Sequence, residues 1–157
     1  MPPFIRTLIV IMVGYPGAFL WFLGGFGGMA SLGFLLMGSL EPKYWLMFLG
    51  FLTAALIGHL MKALVGYTLG DTEQRMAGNQ IGQRMAWDLA IDLQGIGIVG
   101  AGIALAPTLA RADWQRSVLA AVLCIALAYL LILTNRGRAA FLDRWVQEHI
   151  HDPLPPS

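Results

Sequence analysis

The sequence predicts an all-α, polytopic membrane protein. Four transmembrane helices, a glycine-broken first hydrophobic segment and a C-terminal amphipathic surface helix are expected. Three observations carry this. Of 157 residues, 57% are hydrophobic and 12% charged, against a usual ~45–50% and ~25%. Mean hydropathy is +0.68, and no soluble domain of this size buries so much apolar chain in its own core. Four stretches stay apolar for about the ~20 residues that cross a ~30 Å hydrocarbon core. They are continuous rather than alternating, so helices satisfy their backbone groups better than barrel strands.

The first span starts near Phe4 and runs at least to Leu23. No charge interrupts the chain from Thr7 to Leu40. One helix of that length reaches ~50 Å, longer than the apolar core, yet the stretch is too short for two crossings and a turn. Gly24, Gly25, Gly27 and Gly28 stand in its middle. The expectation is therefore one crossing, a glycine-rich break, and a short piece from about Met29 to Leu40 that is interfacial or re-entrant. One long tilted helix is the alternative. The run after Arg6 is too long for a signal-peptide core and lacks a clear A-x-A site, so an uncleaved helix is expected.

The second span runs from about Tyr44 to Tyr67, the third from Trp87 to Leu109 and the fourth from Val118 to Thr134. With the N-terminus inside, the inner side holds Arg6, Arg75, Arg84, Arg136, Arg138 and Arg144, the outer side Lys43, Arg111 and Arg116. That asymmetry predicts both termini in the cytoplasm. Arginine dominates the basic residues and Ala, Gly and Leu are abundant, which suggests a bacterial, GC-rich source and an inner-membrane location.

Residues 1–135 form the transmembrane domain on this reading, and 136–157 a cytoplasmic tail. In the tail Phe141, Leu142, Trp145 and Val146 recur at helical spacing with charged residues between them. Such a helix lies on the inner membrane surface or packs on a protein. The tail's His149, His151 and Asp152 lack the spacing of a closed zinc site, and a solvated tail is expected there.

Net charge is +1, which favours no nucleic-acid partner. The single cysteine, Cys124, cannot form an internal disulfide. Small residues mark helix contacts: Gly24 and Gly28 fit GxxxG, and Gly97, Ala101, Gly100 and Ala104 give two small-xxx-small pairs.

Ionisable residues inside a span are costly, so each is a functional candidate. His59 and Lys62 lie on the second span, Asp88 and Asp92 on the third, with Gln94 beyond. Lys62 is about ~12 Å and Asp92 ~8 Å from the same membrane face, at 1.5 Å per residue on consecutive antiparallel helices. A Lys62–Asp92 ion pair is expected, with His59 and Gln94 as hydrogen-bonding neighbours. No nucleophile–histidine pair, phosphate loop or intramembrane metal-ligand set appears, so no enzyme activity, cofactor or metal is expected. The leading expectation is a non-catalytic small subunit of a larger inner-membrane complex, of the secretion, conjugation, respiratory or photosynthetic kind. Its partners are then the bilayer and other membrane subunits. One alternative is a homo-oligomeric proton- or ion-coupled transporter or channel using Lys62, Asp92 and His59. Another is a haem or quinone anchor, for which a partner must supply the second intramembrane histidine.

Overall fold

The computed structural model describes residues 2–69 and 78–150. Every regular element among them is helical: α1 (Pro3–Ile9), a π-helical turn (Val10–Gly14), α2 (Tyr15–Leu36), α3 (Pro42–Leu69), α4 (Gly78–Ala110) and α5 (Trp114–Ile150). The described residues hold four helices long and apolar enough to cross a membrane.

The first of the four is continuous from Pro3 to Leu36, which corrects the glycine-broken segment. The π turn joins α1 to α2 without leaving helical geometry, since Tyr15 at its end stays in the right-handed region. Pro16 follows it directly. A proline ring strikes the carbonyl four residues back in a regular α-turn, and the wider turn gives it room. The four central glycines do not break the helix because breaking it in an apolar surround would orphan backbone groups. Gly24 and Gly27 let α3 come close instead. A Cβ on Gly24 would collide with the backbone of Phe51 and Ala55, and one on Gly27 with the Phe51 ring. The expected interfacial or re-entrant piece is the last part of α2, and the chain turns only after Leu36.

That turn is a Schellman motif. Gly38 takes φ 99°, and Ser39 N–H donates to the Phe34 carbonyl at 3.1 Å. The α4–α5 turn repeats it with Ala112 at φ 54° and Asp113 N–H donating to Thr108 at 3.0 Å. Asp113 then caps α5, its carboxylate accepting from the Arg116 amide at 3.3 Å. Arg116 Nη1 reaches the Met37 carbonyl at 3.1 Å, so both turns sit at one end. At the other end Arg6 Nη2 donates to the Leu69 carbonyl at 3.0 Å.

Helix α2 packs on both α3 and α4, and α4 packs on α5, while α3 and α4 meet at few positions. Small residues make these seams. Gly58 of α3 presses on the backbone at Trp21. Gly28 faces Ile96, Gly100 faces Leu32 and Met29, and Gly97 faces Leu127. Ala101, Ala104 and Ala120 are fully buried. Buried hydroxyls bond their own helices: Ser31 Oγ donates to Gly27 at 2.7 Å and Thr108 Oγ1 to Ala104 at 2.9 Å. Large apolar side chains point outward along every helix, among them Phe19, Leu46, Ile103 and Ile125.

The boundary expected at 135/136 falls inside α5, which runs unbroken for 37 residues, or ~56 Å. Its last part packs on α4. Trp145 is buried and donates Nε1–H to Gln80 Oε1 at 3.1 Å. Gly137 lies against the Trp87 ring. Phe141 and Leu142 are half-buried and Val146 is exposed. The side chains of His149, His151 and Asp152 lie outside the described residues.

Candidate functional site

The polar residues expected within the spans gather on α3, α4 and α5, toward the end where Arg6 meets Leu69. Asp92 is the hub. Its Oδ2 accepts from Trp21 Nε1 at 2.7 Å and lies 2.8 Å from His59 Nδ1. A carboxylate only accepts, so Nδ1 carries the imidazole hydrogen. In the neutral ring Nε2 then carries a lone pair, and in the protonated ring a second N–H. This nitrogen is buried and has no hydrogen-bond partner among the described residues.

The expected Lys62–Asp92 pair does not form. Lys62 Nζ sits 3.8 Å over the Trp21 ring instead, an attraction that holds a cation in apolar surroundings. Equal depth placed Lys62 and Asp92 together, but the direction around the helix decides contact. His59 and Lys62 are three residues apart, about 60° around α3, and Trp21 fills the space between Lys62 and the carboxylate. Gln94 also turns away: its Nε2 donates to Thr134 Oγ1 at 3.0 Å, tying α4 to α5. Thr134 in turn donates to the Leu130 carbonyl.

Asp88, one turn from Asp92, takes a different partner. Arg138 Nε of α5 lies 2.6 Å from Asp88 Oδ1, and Arg84 Nε is 3.9 Å from Oδ2. Trp21 and Arg138 were not singled out by the sequence reading. A signal existed for Trp21: it stands inside a span, away from the interfaces where tryptophans gather, and a buried indole N–H needs an acceptor.

Two cavities adjoin at Ile91 and Asp92. One, of about 400 Å³, is lined by His59, Lys62, Asp88, Asn135 and Arg138 among others. The other, of about 280 Å³, is apolar and lined by Trp21, Phe22, Gly25, Phe26, Met29 and Gly95 among others. Chemically the site offers a buried, unpartnered imidazole nitrogen at His59 Nε2, an oriented carboxylate and nearby cations. Among the described residues no group of three His, Cys, Asp or Glu could hold a metal ion. Comparison with protein-family models, curated proteins and solved structures returns no match to this chain.

Proposed function

We infer that this chain is a small, non-catalytic, multi-pass subunit of a larger bacterial inner-membrane assembly, with both termini cytoplasmic. One observation carries the reading. Gly50 of α3 and Gly102 of α4 are exposed, with nothing within 4 Å of an added Cβ. Inside the chain, glycines stand where backbones touch. A glycine left on an outward face bares its backbone and weakens the helix. It makes sense where another helix arrives from outside. The experiment is native mass spectrometry of the protein extracted in mild detergent from its host at native expression. Fixed numbers of other subunits should co-purify. A lone homo-oligomer would sink the proposal.

A second reading, a proton- or ion-coupled transporter, draws on the ionisable cavity that leads to buried His59. Flux across proteoliposomes tests it: Asp92→Asn should abolish transport while leaving assembly intact. Transport by the variant at the wild-type rate would exclude it.

A further inference from the structure

We propose that the two adjoining cavities form one binding site for an anionic phospholipid, its phosphate beside Lys62 and Arg138 and an acyl chain in the apolar slot. The inference needs the chain to stand in a membrane and does not depend on assembly with other subunits.

The polarity of the groove runs the way a lipid runs. The cavity nearer the Arg6–Leu69 end is lined by charged groups, and the slot deeper along α2 and α4 is lined by aromatic and aliphatic ones. Ile91 and Asp92 line both, so the two cavities lie side by side.

Charge argues for an anionic head. Among the described residues Lys62, Arg84 and Arg138 line the polar cavity with Asp88 and Asp92. Asp88 is engaged by Arg138, and Asp92 by Trp21 and His59. Lys62 has no carboxylate within salt-bridge reach among the described residues, only the Trp21 ring. An ammonium held in a span without a counter-ion is costly, and basic pockets between membrane helices suit phosphate head groups.

The slot is held open by two glycines. Gly25 and Gly95 both line it, and neither would meet an atom within 4 Å if it carried a Cβ. A Cβ at either position would stand in the slot without striking the protein. That supplies the test, because Gly25→Leu and Gly95→Leu place a side chain where the acyl chain would lie, at positions where neither Cβ meets a helix seam.

The experiment is native mass spectrometry of delipidated protein, titrated in detergent with phosphatidylglycerol or with phosphatidylcholine of the same acyl chains. One phosphatidylglycerol per chain should persist under activation that strips phosphatidylcholine. Lys62→Gln should weaken its retention about fivefold, the worth of one basic residue beside an anionic lipid. Either leucine variant should lose the bound lipid. Equal retention of the two lipids would overturn the proposal, as would leucine variants that bind like wild type. Inorganic phosphate that displaces the lipid would also overturn it, since the head cavity alone would then be the site. If both leucine variants lose their monodisperse elution peak, Lys62→Gln decides alone, with undiminished retention refuting. Alkaline carbonate extraction of membranes reads the membrane placement separately: a chain released by carbonate would refute that placement instead.

Discussion

Replacing Gly24 with alanine should destabilise the protein by about 2 to 3 kcal/mol. The added Cβ would lie 2.5 Å from the Phe51 carbonyl oxygen and 2.7 Å from Ala55 Cα, and would strike the Ala55 nitrogen. All of these are backbone atoms, so no side chain can swing aside. Ordinary carbon contacts fall near ~3.5–4.0 Å, so α2 and α3 must part by about 1 Å. A gap of that size forfeits roughly a quarter to a half of the dispersion attraction of each contact along the seam. Gly50→Ala is the matched control on the outward face of α3, with open space around its Cβ. It should be neutral or stabilise by up to ~1 kcal/mol through helix propensity. Steric-trapping unfolding in detergent micelles measures both. The reasoning fails if Gly24→Ala falls within about 0.5 kcal/mol of the control, the ordinary spread of harmless surface changes.

Ala112→Gly should stabilise by about 1 kcal/mol, because alanine occupies a left-handed position that glycine adopts freely; a higher midpoint in thermal unfolding checks it. At the matching turn Gly38→Ala should cost at least about 1 kcal/mol, since its Cβ would also meet the Arg116 guanidinium; a fall in the same midpoint is the readout. Asp92→Ala should cost about 2 to 6 kcal/mol, leaving the Trp21 and His59 donors unpaired at roughly 1–3 kcal/mol each. Asp92→Asn keeps an acceptor and should cost less, so the order of the two variants in chemical unfolding is the check. Trp145→Phe should lose about 1 kcal/mol with its bond to Gln80 and speed amide exchange in the last turns of α5.

The parts of the fold visible in the sequence are those set by single-residue polarity. Long uncharged runs marked the four spanning helices. Lys62 and Asp92 were placed at like depth by counting residues, and they do line one cavity. The choice of His59 over Lys62 as the partner of Asp92 was hidden, because it turns on which side chain faces α4 once Trp21 is seated. The glycines at 24–28 misled for a related reason. Such a cluster loosens an isolated helix, whereas here Gly24 and Gly27 are pressed onto α3, Gly28 faces α4, and the helix continues. The tail was read as amphipathic, but what its apolar side meets depended on how far α4 extends below Trp87, and nothing local to either segment encodes that.

The seams divide the protein into two neighbours-in-sequence pairs, α2 with α3 and α4 with α5, joined mainly where α2 touches α4. A chain emerging from its N-terminus can thus complete each hairpin as soon as its second helix is made. Only the α2–α4 seam waits for a distant segment. Cutting the chain between residues 69 and 78 would leave both hairpins whole. Two half-genes expressed together should accordingly rebuild the protein, whereas a break inside α4 should not.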